Sequence, residues 1–166
     1  MIPKYIIIHH SFTDDSKLVD WKAIKDYHVK ENGWSDIGYH FGVEGVDGKY
    51  LVMKGRAEDA IGAHCKDGGM NNQSLGICLV GNFDKYDVPK EQWSLGVELV
   101  RKLSKKYSIP VINIKGHGEV MRESKASYIK TCPGLLFDMN KFRKELLNGK
   151  GLKPPKWQSD LYGSTL

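Results

Sequence analysis

A chain of 166 residues, 40% of them hydrophobic, has enough apolar material for one ordinary globular domain and too little length for two independent ones of usual size. A formal charge of +5 and a pI near 9.0 favour an anionic partner without choosing between nucleic acid, a lipid surface and an acidic polymer, and no run of about 18 apolar residues is present to span a bilayer. Cys65, Cys78 and Cys132 are too few, and odd in number, for a disulfide framework, so thiols, thiolates or metal ligands are expected.

The run Tyr5-Ile6-Ile7-Ile8 is β-branched and apolar, the pattern of a buried central strand, and it delivers His9-His10-Ser11 to the rim of a sheet. Beyond a polar loop, Trp21, Ile24 and His28 recur at helical spacing until Asn32-Gly33 breaks the pattern. Tyr39 to Val46, the turn Asp47-Gly48, and Tyr50 to Met53 predict a β-hairpin. The glycine-rich stretch 62–72, which contains Ala63-His64-Cys65, reads as a loop, and Leu75 to Val80 as another core strand ended by Gly81-Asn82.

Pro89 opens the clearest long helix, whose apolar face carries Trp93, Val97, Val100 and Leu103 or Tyr107 and runs through Lys106. Ile109-Pro110 ends it, Val111 to Ile114 predicts a strand, and Gly116-His117-Gly118-Glu119 falls at that strand's end. A polar connection from Arg122 to Thr131 leads to Cys132-Pro133-Gly134, and a final helix is expected over about 138–147. The basic runs at Arg101-Lys102, Lys105-Lys106 and 141–144 read as solvated helix faces. Residues 1–149 thus form the expected domain, followed at 150–166 by a C-terminal arm or tail rich in breakers, a partly ordered arm being favoured because Trp157, Leu161 and Tyr162 offer apolar anchors.

Two strand ends and one loop present metal-ligating side chains. Hydrolytic zinc sites hold three protein ligands and leave a fourth position open, and His9, His117 and Cys132 are of the right types to fill that role. No short metal signature supports the grouping. The plain alternative is a strand-capping histidine and a small buried cysteine. Strand alternation sends His9 and His10 to opposite faces, so at most one of them readily joins a given site; His9 is taken, although the pattern barely separates the two.

The motifs Ile6-Ile7-Ile8-His9-His10-Ser11, Trp34-Ser35-Asp36-Ile37-Gly38-Tyr39-His40-Phe41, Gly62-Ala63-His64, Ser74-Leu75-Gly76-Ile77-Cys78-Leu79-Val80-Gly81-Asn82, Gly116-His117-Gly118-Glu119 and Lys130-Thr131-Cys132-Pro133-Gly134 follow one another over residues 4 to 147. In this order they resemble the N-acetylmuramoyl-L-alanine amidase family, which includes bacteriophage lysozymes of amidase type and the peptidoglycan recognition proteins. The resemblance implies an α/β fold with a mixed central β-sheet flanked by helices on both faces. It implies a zinc ion (Zn2+) held by His9, His117 and Cys132, with Tyr39 beside the metal and Lys130 as the catalytic lysine.

Hydrolysis of the amide between muramic acid and L-alanine of peptidoglycan follows as the expected activity. His64 is expected to contact substrate, its alternative being a histidine packed on the cleft wall. Glu119 is expected either to orient the His117 ring or to serve as an ion-pair partner. Cys65 and Cys78 are expected as fillers, Cys65 being oxidisable if exposed.

Two rivals stand beside hydrolysis. One is a silent peptidoglycan-binding protein, against which Cys132 counts because members that only recognise peptidoglycan commonly lack that ligand. The other is a nucleic-acid or regulatory-protein binder, for which no recognition-helix or zinc-finger signature is visible. The start MIPKYIIIHH turns polar too early for a secretory signal, so a monomer made in the host cytoplasm is expected, reaching peptidoglycan through a membrane lesion and aided there by anionic wall polymers.

Overall fold

Among the residues described by the computed structural model, 1–14 and 19–148, five strands make one mixed sheet. They are β1 (Tyr5–His10), β2 (Phe41–Val46), β3 (Lys49–Lys54), β4 (Ser74–Leu79) and β5 (Ile114–Gly116), in the spatial order β3-β2-β4-β1-β5. The β2–β3 pair is the antiparallel hairpin, with Asp47 and Gly48 both at positive φ in the turn as such a tight connection requires. The other three pairings are parallel, so β1, β2, β4 and β5 all run the same way. Their carboxyl ends open at one rim, where open α/β sheets place ligands.

The register assigns the side chains to faces. Ile8 lies beside Ile77, which lies beside Phe41; His9 lies beside Cys78, which lies beside Gly42. The first set joins the main core with Ile6, Val43, Leu75, Leu79 and Ile114. That core is covered by α2 (Lys90–Tyr107) through Leu95, Val97, Leu99, Val100 and Leu103, and by α4 (Met139–Leu147) through Met139, Phe142 and Leu146. Burying one such leucine or phenylalanine is worth roughly 1.5–3 kcal/mol, so the repeated apolar face of α2 suffices to fix that helix on the sheet. Asp138 caps α4 by accepting from the Asn140 and Lys141 amides.

The opposite face carries α1 (Trp21–Asp26), α3 (His117–Glu123) and the loop 62–72, so helices flank both faces. Trp21 reaches the sheet over Gly42, where an added Cβ would stand 2.2 Å from the indole ring. Asp20 caps α1 by accepting from the Ala23 amide, and the chain continues beyond it as a π-helical turn, Tyr27–Glu31, to the expected break. Val120 of α3 packs against Ile7, Cys65 and Met70.

Two expectations are corrected here. The strand expected over Val111 to Ile114 begins only at Ile114, because Pro110 is followed by a 3-10 turn, Val111–Asn113, whose Asn113 amide bonds back to Pro110 O. His117 is the first residue of a helix, not a strand terminus: Glu119, three residues after Gly116, accepts its amide and closes a capping interaction that starts α3 at once. The loop 62–72 contains helical turns over Asp67–Asn72, with Gly68 and Gly69 at positive φ. The expected arm at 150–166 lies outside the described residues.

The basic runs sit on helix surfaces and are largely paired. Arg101 bonds Glu98, and Lys106 bonds Glu58. Among the described residues no helix is long and apolar enough to cross a membrane.

Candidate metal centre

His9, His117 and Cys132 are brought together by three different elements, and one ligand atom from each lies within 4.8 Å of the others. His9, the histidine expected in the site, is the penultimate residue of β1 and shares the face of Ile7 and Cys78. His10 points the other way, its Nδ1 accepting from the Phe83 amide. His117 arrives from β5, the other parallel neighbour of β1, and its ring centroid is 4.8 Å from that of His9.

Cys132 is delivered by a fastened loop. Asp84, just beyond β4, accepts from Thr131 Oγ1 at 2.7 Å and from the Leu135 amide at 2.8 Å, while the Leu136 amide bonds Phe83 O. The glycines on either side of His117 let that loop approach. An added Cβ at Gly116 would lie 2.7 Å from the Pro133 ring, and one at Gly118 would lie 2.5 Å from Lys130 O. The Gly118 amide uses the closeness to donate to Cys132 O at 2.7 Å.

The donor set fits zinc. Two ligand atoms on a tetrahedral ion, one nitrogen at roughly 2.05 Å and one sulfur at roughly 2.3 Å, stand about 3.6 Å apart. His9 Nδ1 and Cys132 Sγ are 3.5 Å apart. The electrostatics keep all three groups neutral. Burial, then the charges of His117, His64, His10 and Lys130, hold His9 well below the ordinary imidazole value. Burial and Lys130 lower His117 as well, outweighing Asp67. Both rings are therefore neutral near pH 7 with lone pairs free. Burial pushes the Cys132 thiol up to about 12, so without a cation it keeps its proton.

The chain matches the family model described as N-acetylmuramoyl-L-alanine amidase over residues 1–135. It is 37% identical over 143 residues to the endolysin of Escherichia phage T7, with 82% of this chain and 83% of that protein covered. This chain belongs to the N-acetylmuramoyl-L-alanine amidase family. It is also 34% identical over 138 residues to peptidoglycan-recognition protein LB of Drosophila melanogaster, covering 78% of this chain and 54% of that one. Among solved structures, the N-acetylmuramoyl-L-alanine amidase LysC from Clostridium intestinale URNW superposes with a TM-score of 0.70 at 29% identity, covering 88% of this chain and 86% of that one.

The other family positions surround the three ligands. Tyr39 lies tilted against His9 and His28, with ring centroids 5.2 and 5.6 Å apart. Burial, then the nearby Cys78 and Cys132 sulfurs and a hydrogen bond with Cys78, raise its phenol well above the usual value. Lys130 is exposed at the rim, with its ammonium close enough to depress His9 and His117. His64 is buried, and both its ring nitrogens face protein atoms instead of the open cleft: Nδ1 is 3.0 Å from His9 Nε2, and Nε2 is 3.4 Å from Ser74 O.

Of the two roles open to Glu119, the structure shows the ion pair. Its carboxylate takes both guanidinium nitrogens of Arg143 at 2.9 Å and the Gly116 amide at 2.8 Å. The carboxylate facing the His117 ring is Asp67, 3.5 Å from Nε2, a residue passed over in the sequence because it lies in a loop four places before Asn71 with no spacing signal. Asp84 and Asn71 were missed for the same reason: each holds a loop through backbone amides that only the tertiary structure brings to it. Cys65 and Cys78 are buried fillers, so Cys65 is not open to oxidation, and burial pushes its thiol up to about 12.

Proposed function

We propose that this protein is a zinc-dependent amidase that hydrolyses the amide between the lactyl group of N-acetylmuramic acid and L-alanine of the peptidoglycan stem peptide. The observation that carries the reading is the 3.5 Å spacing of His9 Nδ1 and Cys132 Sγ within the three-residue cluster, in a chain of this family. His9, His117 and Cys132 would hold the metal. When bound, zinc supplies Lewis acidity and makes water nucleophilic at neutral pH.

The chain's own groups have distinct parts. Lys130, exposed at the rim, offers a cation to the negative charge that develops on the carbonyl oxygen. Tyr39, kept protonated chiefly by burial, is a hydrogen-bond donor and not a base, its one hydroxyl hydrogen turning from the Cys78 sulfur to the same centre when substrate is bound. The reaction balances as hydroxyl added to the lactyl carbon and a proton to the alanine nitrogen, giving a carboxylate and a free amino terminus.

Binding without hydrolysis is the reading that competes, and the thiol ligand Cys132 favours catalysis. By likeness to the phage endolysins, the enzyme acts as a monomeric lytic factor that reaches the wall from the cytoplasm through a membrane lesion. Its basic surface is drawn to anionic wall polymers. Zinc-loaded protein incubated with a purified muramyl peptide should release the intact stem peptide beginning with L-alanine, as read by mass spectrometry. Metal-stripped and Cys132→Ala protein should release none. Cleavage at a sugar–sugar or peptide–peptide bond would reject the bond assigned, and binding with no product would place the protein among silent receptors.

A further inference from the structure

We infer that His64 is the positioning residue that fixes the tautomer and ring orientation of His9, presenting His9 Nδ1 to the metal; the inference rests on the metal reading above. It follows from a hydrogen-bond chain with a fixed direction. Ser74 O is a backbone carbonyl and only accepts, so the nitrogen facing it at 3.4 Å, His64 Nε2, carries the hydrogen. In the neutral ring Nδ1 is then bare and accepts. Its partner at 3.0 Å is His9 Nε2, which must therefore donate. A neutral His9 protonated at Nε2 has its lone pair on Nδ1, and that atom faces Cys132 Sγ at 3.5 Å. One backbone carbonyl of β4 thus sets, through two rings, which nitrogen of His9 is available.

The surroundings of His64 are built for this. Its ring is slotted between two glycines: an added Cβ would lie 2.4 Å from its Cγ at Gly76, and 2.5 Å from its Cδ2 at Gly62. His40 stands edge-on at 5.6 Å between centroids and is itself fixed, its Nδ1 accepting from the Gly76 amide and its Nε2 lying 3.1 Å from Ala60 O. Asn71 Oδ1 accepts the amides of both His64 and Cys65 at 2.8 Å, which pins the backbone. With both nitrogens occupied and the ring buried, His64 has no free atom for substrate. Outer partners of metal-bound histidines typically govern affinity by about 10–100-fold.

The test uses zinc affinity, read by competition with a chromophoric chelator, on the whole protein. His64→Leu fills the slot without an acceptor and should bind zinc roughly 10–100-fold more weakly. His64→Asn places a carbonyl oxygen near the position of Nδ1 and should recover most of that loss. Thermal melts of the metal-free variants establish that each is folded. In zinc-loaded wild-type protein, long-range proton–nitrogen NMR should show His9 protonated at Nε2 and metallated at Nδ1, with His64 protonated at Nε2.

Equal zinc affinity in folded His64→Leu, or His64→Asn as weak as His64→Leu, overturns the inference, as does a His9 metallated through Nε2. If the folded variants cannot be obtained, the NMR pattern of the wild type decides alone. Wild-type protein that binds zinc with these tautomers but cleaves no muramyl peptide would sink the amidase reading and leave this one standing. Wild-type protein that binds no zinc overturns both.

Discussion

Replacing Gly118 by alanine should damage the centre without touching a ligand. The new Cβ would stand 2.5 Å from Lys130 O and 3.1 Å from Cys132 O, whereas ordinary contact begins at 3.4 Å. Both obstacles are backbone, so the loop must retreat from α3 by about 0.9 Å in a packed interior. Overpacking of this kind costs about 1–3 kcal/mol, and stretching the bond from the Gly118 amide to Cys132 O adds about 0.5–1.5 kcal/mol. Alanine's better helix propensity returns up to about 1 kcal/mol, leaving a net loss of roughly 0.5–4.5 kcal/mol and a fall in Tm of about 1–18 °C for a domain of this size.

A misplacement near 1 Å also costs about 100-fold in rate, because Cys132 moves away from His117. Gly96→Ala is the matched control: its Cβ would meet the Leu79 methyls at 3.5 and 3.7 Å and the Phe142 ring at 3.8 Å, all ordinary contacts, so it should be neutral or stabilising by up to about 1 kcal/mol. Calorimetric melts and chelator competition read both variants. A Gly118→Ala protein that melts with the wild type and keeps its zinc affinity would refute the close-approach argument.

Other outcomes follow from the same geometry. Burial raises Glu119, but the Arg143 guanidinium and the Gly116 amide outweigh it and hold the carboxyl below its ordinary value. Its stabilisation is therefore present above the unfolded value of about 4.3 and lost as pH falls through the folded one. The difference in Tm between wild type and Glu119→Gln should thus be largest near neutrality and shrink below about pH 4; a gap that widens on acidification contradicts the assignment.

His9, His64 and His117 are all depressed mainly by burial, His64 to about 3, so the unfolded chain takes up protons first as pH drops. The metal-free protein should lose stability progressively below about pH 6.5, and a Tm that rises between pH 7 and 5 would be inconsistent with neutral buried imidazoles. Asp84→Ala removes two of the anchors of the Cys132 loop and should weaken zinc binding while leaving the sheet intact by circular dichroism; unchanged affinity would show that the remaining anchors hold the loop.

Most of the sheet was legible because its signals are local. The apolar run before His9, the Asp47-Gly48 turn and the face of α2 each announce an element within a few residues. The start of α3 was not read, since glycines on either side of His117 resemble a loop; they are there for the approach of Pro133 and Lys130 O, contacts with the distant Cys132 loop that no local pattern records. The ligand types were visible in the motifs and the resemblance named His9, but the physical separation of His9 from His10 shows in the register with Cys78. The neighbours of the candidate ligands were least legible. His64 shows its direction only through Ser74 O, and Asp67 its position only once the loop is folded over α3.

The central claim is the identity of the bond broken, and hydrolysis of peptidoglycan in water enriched in oxygen-18 tests it most directly. Amide cleavage by this enzyme should place the label in the lactyl carboxylate of the sugar fragment and leave the released peptide unlabelled, with a new free amino group on its L-alanine. The appearance of new sugar reducing ends, or label in a peptide carboxylate, would contradict the assignment.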